Sequence, residues 1–159
     1  MQKNLKTFIK GKTVVFGIGN RLRGDDGIGP ELIGRIGSKI GAVCINGENA
    51  PEMYLGKIVK ESPDTILVID AVHIGRKAGE FQILSLNDLS MPFFTTHDLP
   101  LRFLLERLRT LTHSRIYIIG VQPQQLSLGE SLSRSAQKAL CAIERLLTEA
   151  LPKGKKDHE

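Results

Sequence analysis

Thr65-Ile66-Leu67-Val68-Ile69 is apolar at every position after the first, so a strand built from it has no face to offer to water. Such a strand belongs in the middle of a parallel sheet covered by helices on both sides. It closes at Asp70. Val14-Val15-Phe16 and Ile116-Tyr117-Ile118-Ile119 read similarly, as strands from Thr13 to Ile18 and from Ile116 to a close at Gly120. Ala42-Val43-Cys44-Ile45 supplies another, closed by Asn46-Gly47, and Phe81 to Leu86 is an edge candidate for which the antiparallel direction is open.

Between these runs the apolar spacing turns helical. Residues 28–39 predict a helix weakened by Gly34 and Gly37, and Pro51 suits the first position of a short helix reaching Glu61, with Met53, Leu55, Ile58 and Val59 inward. A third helix begins near Pro100 with Leu101, Leu104, Leu105, Leu108 and Leu111 on one face. The last, Ser131 to Ala150, buries Leu132, Ala136, Ala139, Leu140, Ile143, Leu146 and Leu147, with Ser131, Ser133 and Ser135 as capping candidates. Alternating strands and helices imply an α/β domain. The expectation is a three-layer α/β/α fold with a five-stranded, mostly parallel central sheet, one edge strand a candidate for the antiparallel orientation. One domain spans residues 1–159, with an ordered core from about 12 to 151 and a polar tail at 152–159.

Several functions are excluded at this level. No stretch approaches the ~20 apolar residues of a membrane span, and the N-terminal apolar run is broken by Lys10 and Lys12, so no signal peptide is expected. A cytoplasmic protein follows. The formal charge of +5 comes with no basic stripe interleaved with aromatics, so neither nucleic acid nor membrane is expected as a partner. Cys44 and Cys141 form no C-x-x-C pair and read as buried thiols.

In open α/β sheets ligands bind beyond the carboxyl ends of the strands. The first strand delivers Asn20, Asp25 and Asp26 within the glycine-rich Gly17 to Gly29; the second delivers Asn46 and Glu48; the third ends on Asp70, with His73 soon after. Thr95-Thr96-His97-Asp98 precedes a helix, and Gln122 to Gln125 follow the fifth strand. Carboxylates crowded together repel unless a cation or proton intervenes, and two carboxylates with an imidazole suit a divalent metal with open positions. Structural roles compete. Asp25 fits hydrogen bonding to amides of its own turn, Asn20 an Asx-type turn, and Asp70 a cap or turn acid. His73, His113 and His158 read as surface residues.

G-x-S-x-G, H-E-x-x-H and the P-loop pattern are absent. Gly17-x-Gly19 opens like a dinucleotide fingerprint, but Leu22 stands at the third glycine, and acids at the phosphate position repel a pyrophosphate.

The combination Gly17-Ile18-Gly19-Asn20, Gly24-Asp25-Asp26-Gly27-Ile28-Gly29, Ala50-Pro51-Glu52, Ile69-Asp70-Ala71, Thr95-Thr96-His97 and Gly120-Val121-Gln122-Pro123 resembles the nickel–iron hydrogenase maturation endopeptidases. The likeness is strongest to the type that processes the large subunit of hydrogenase 3 in formate hydrogenlyase. It implies three metal-contacting residues, which fall on Asp26, Asp70 and His97. It also implies removal of a C-terminal peptide from a large-subunit precursor after nickel insertion, with the substrate's own nickel as recognition element. Its partner is then the hydrogenase large-subunit precursor. Two carboxylates and one histidine make a weak site, so the expectation for the isolated protein is a metal-free chain; the sequence leaves the oligomeric state open, with a monomer expected. Asn46-Gly47-Glu48 departs from the family, many members of which carry an acid followed by two glycines. Two alternatives stand beside this reading: a nickel- or hydrogenase-binding chaperone without catalysis, and a peptidyl-tRNA hydrolase-like enzyme. The latter lacks its early histidine here, since none precedes His73.

Overall fold

The computed structural model describes residues 4–86, the backbone of 94–95, and residues 101–154. The elements are β1 (Thr13–Ile18), α1 (Ile28–Ile36), β2 (Val43–Glu48), α2 (Leu55–Glu61), β3 (Thr65–His73), β4 (Phe81–Ser85), β5 (Phe94–Thr95), α3 (Leu101–Thr112), β6 (Arg115–Val121) and α4 (Arg134–Ala150). Three 3₁₀ turns, at Leu5–Thr7, Gly24–Gly27 and Pro51–Tyr54, complete the described chain.

The sheet runs β2-β1-β3-β6-β4. Its first four strands are parallel, and β4 lies antiparallel on β6. The mostly parallel, five-stranded sheet with an antiparallel edge is as the sequence implied. One short addition was not expected: β5 pairs antiparallel with Val72 and His73, which carries β3 beyond Asp70.

Alternation along the strands fills two cores. Val15, Leu67, Ile69 and Ile119 point to the layer of α1 and α4, where Ile33, Ile36, Leu140, Ile143 and Leu147 meet them. Val14, Phe16, Ile66, Val68, Val72 and Ile118 point to the other layer, against Leu55, Ile58, Leu104, Leu105 and Leu108 of α2 and α3. Leu5 joins the first core at 2% exposure. The ordered part of the chain therefore begins before residue 12, because one leucine on a 3₁₀ turn gains as much from burial as any core leucine.

Other expectations shift for local reasons. The first helix stops at Ile36, with Gly37 as its C-cap, rather than reaching Lys39. Asn46 and Gly47 lie within β2 rather than closing it, across a register shift opposite Gly17 and Ile18. Helix α4 begins at Arg134 because the Ser133 hydroxyl caps it, accepting from Ala136 N at 3.1 Å. Leu132 and Leu146 are only partly buried. Cys141 is exposed and Cys44 half-buried, so neither is the core thiol expected. Among the described residues, no helix is long and apolar enough to cross a membrane.

Candidate active site

The glycine-rich connection after β1 is built by close approach. A Cβ on Gly29 would strike the carbonyl oxygens of Ile18 and Ile69, and a Cβ on Gly19 the carbonyl of Asp26. The start of α1 is thereby seated against the carboxyl ends of β1 and β3. The turn Gly24–Gly27 places Asp25 and Asp26 just ahead of that helix, at the positive end of its dipole.

Consecutive acids on this turn face different surroundings. Asp25, 1% exposed, accepts from Gln124 N (2.7 Å), Gln125 N (3.2 Å), Ser133 N (2.7 Å) and Ser133 Oγ (2.8 Å). Its structural role was expected, but its partners are not amides of its own turn. They belong to the connection between β6 and α4, about a hundred residues away. Of the glutamines read as site residues, Gln124 and Gln125 thus serve the scaffold. Gln122 Oε1 accepts from Ile74 N at 2.8 Å, and its Nε2 lies 3.4 Å from His73 Nδ1.

Asp26, 3% exposed, accepts from Asn20 N at 2.9 Å through Oδ2. The Asn20 side chain in turn accepts from Leu22 N at 2.9 Å, the Asx-type turn that was expected. Asp26 and Asn20 line the head of a groove with a volume of about 1010 Å³. Its walls are Glu52, Leu55, Gly56 and Val59 on one side and Phe103, Leu104, Arg107 and Leu111 on the other.

Asp70 is fully buried and pairs with Gly120 of β6. It shares its side of the sheet with Ile66, Val68 and Val72, all in the α2/α3 core. Ile18, in the same core, lines the groove. Asp70 therefore projects to the face on which the groove opens, from β3, the neighbour of the strand that leads into the Asp26 turn.

His97, the third residue singled out, lies outside the described residues, as does His158. Among the described residues no three of His, Cys, Asp and Glu converge as a metal cluster. His73 and His113 are exposed, as expected. Asn46 and Glu48 sit within β2, where the Asn46 side chain accepts from Glu48 N at 3.0 Å.

Sequence reasoning missed the groove walls. Met53, Val59 and Leu111 were read as core, yet Met53 is 80% exposed, Leu111 is 45% exposed, and Val59 is only partly covered. The signal was present on α3, where Phe103, Arg107 and Leu111 form a second stripe at helical spacing beside the buried leucines.

The family model for HycI, hydrogenase maturation protease, matches residues 34–151. The hydrogenase 3 maturation protease of Escherichia coli K12 is 34% identical over 113 residues, covering 69% of this chain and 72% of that protein. The crystal structure of the NiFe hydrogenase maturation protease HycI from Thermococcus kodakarensis gives a TM-score of 0.84 at 33% identity, over 92% of this chain and 97% of that one. The solution structure of the endopeptidase HycI from Escherichia coli gives 0.79 at 26% identity, over 94% and 100%. The family model runs from within α1 to the end of α4 and the structural match covers nearly the whole chain, so the chain belongs to the HycI family of hydrogenase maturation proteases.

Proposed function

We propose that this protein removes a C-terminal peptide from the nickel-loaded large-subunit precursor of a nickel–iron hydrogenase, with Asp26, Asp70 and His97 as the residues that meet the metal. Family membership supplies the reaction class. The observation that supports the site is that two buried carboxylates, Asp26 on the turn after β1 and lining the groove, and Asp70 on the neighbouring strand β3, lie toward the same side of the sheet.

Nickel here is part of the substrate. Two carboxylate donors and an imidazole suit a divalent first-row ion and leave positions for the precursor's own ligands. Bound at such a site, the ion supplies Lewis-acid polarisation of the scissile carbonyl. The chain's residues do the rest. The Asn20 amide holds the Asp26 carboxylate in place through Oδ2. Two carboxylates brought to one place without a cation repel, so a precursor arriving without its nickel is penalised. That repulsion makes the acids a checkpoint for nickel insertion.

Attack by water fits better than a covalent route through either cysteine. Burial pushes the Cys44 thiol up from 9.0 to about 11, which leaves almost no thiolate near neutrality. Cys141 sits on α4, in the layer opposite the groove.

The test is to mix the purified chain with nickel-loaded and nickel-free precursor and follow the precursor mass. Loss of the C-terminal peptide from the loaded form alone is expected. Equal cleavage of both forms removes the checkpoint, and full activity in Asp26→Ala or His97→Ala removes the site assignment.

A further inference from the structure

We infer that the groove leading away from Asp26 between α2 and α3 holds the peptide that is cut off, laid out with its apolar side chains between the two helical walls and its terminal carboxylate against Arg107. This deepens the proposed function and rests on it, since the occupant is defined by that reaction.

Asn20 and Asp26 line the groove, so a chain whose scissile bond lies at Asp26 has the groove beside it. Its walls are two facing stripes. On α2 and the turn before it, Glu52, Leu55, Gly56 and Val59 recur at helical spacing; on α3, Phe103, Arg107 and Leu111 lie four residues apart. Phe103 is 67% exposed although it neighbours the buried Leu104. An exposed phenylalanine in a concave wall, beside Leu104 and Leu111, marks a surface that is covered when a partner docks.

Charge marks the end away from Asp26. Two arginines line the groove, Arg23 three residues before Asp26 and Arg107 on α3, and neither makes an ion pair among the described residues, whereas Arg102 is held by Glu106 at 3.1 Å. A C-terminal extension always ends in a carboxylate, and a guanidinium at the groove wall is the natural complement for it. The opposite wall has space: a Cβ on Gly56 would meet nothing within 4 Å. Gly56 leaves room for the peptide backbone, and a large side chain there fills the groove without disturbing the packing beneath.

The experiment uses the full-length protein with nickel-loaded precursor and the same precursor whose extension is cut back to a short stub. Gly56→Trp is expected to raise KM for the full extension by about tenfold or more and to leave the thermal midpoint unchanged. Arg107→Glu is expected to raise KM similarly, and to cost nothing further on the stub, because variant and truncation remove the same contact. A photocrosslinking residue in place of Phe103 is expected to label the extension. Additive losses from Arg107→Glu and truncation overturn the inference. So does labelling of the mature part of the precursor or of a second copy of this chain. If the unmodified protein cuts neither substrate, it is the proposed function that fails, and the crosslink then reports on the groove independently.

Discussion

Ser133 gives both its backbone amide and its hydroxyl to the carboxylate of Asp25, at 2.7 and 2.8 Å, across 108 positions of chain. The same hydroxyl accepts from Ala136 N and so caps α4. One buried acid therefore fastens the turn after β1 to the start of the last helix. Asp25→Asn, which turns an amide NH₂ toward donors, is expected to cost about 2–4 kcal/mol in urea unfolding. Ser133→Ala is expected to cost about 1–2 kcal/mol through the lost cap, and the double variant less than the sum of the two.

Asp26→Asn presents the opposite profile. The replacement can keep an oxygen facing the Asn20 amide, so the thermal midpoint should move by only a few degrees. Cleavage of nickel-loaded precursor should fall by about a hundredfold or more, because the lost charge acts on the metal and not on the fold. Circular dichroism melting and a precursor mass assay, run on the neighbouring Asp25 and Asp26 variants together, separate scaffold from chemistry. Equal effects at both positions contradict the division.

The two thiols should react at different rates. Cys141 is exposed, whereas burial raises Cys44 from 9.0 to about 11. Alkylation at pH 8 should label Cys141 first and Cys44 slower by about tenfold or more, as read by peptide mass spectrometry. The linkage has one sign. The folded state keeps a proton that the unfolded chain releases, so the Cys44 contribution to stability is complete below pH 9 and is lost as pH rises through about 11. Cys44→Ser should flatten the loss of stability in that window.

Glu48 has a backbone φ of +50°, a left-handed conformation in which a side chain is strained. Its carbonyl accepts from Gly19 N at 2.7 Å, which fixes the strained residue in place. Glu48→Gly should therefore stabilise the protein by about 0.5–1 kcal/mol. An unchanged or lowered urea midpoint would contradict the strain.

The central strands were legible because apolar runs flanked by turn residues admit few alternatives. Thr13–Ile18 matches its expected bounds, and the β3 and β6 runs differ only in length. Their ends were harder, since Val72 and His73 are held in β3 by pairing with a strand more than twenty residues away. Leu5 was invisible for a similar reason: no periodicity accompanies a lone leucine whose partners lie on α4. At the site, Asp26 and Asp70 could be selected from strand ends and motif, but the partners of Asp25 could not, being fixed by tertiary folding. The misread residues Met53, Val59 and Leu111 cluster on and beside the groove, where local pattern yields to binding.

Asp25 and Asp26 are chemically identical neighbours, one tied inward to the last helix and the other presented to the groove. Their identities are assigned by position alone. A single-codon deletion in the preceding Arg21-Leu22-Arg23 would slide the pair by one place, setting Asp26 where Asp25 is tied, Asp25 where Gly24 holds a φ of +57°, and Gly27 at the groove. Such a deletion keeps every reactive group, yet should leave an inert and loosened protein. The length of this turn decides the site as much as the acids it carries.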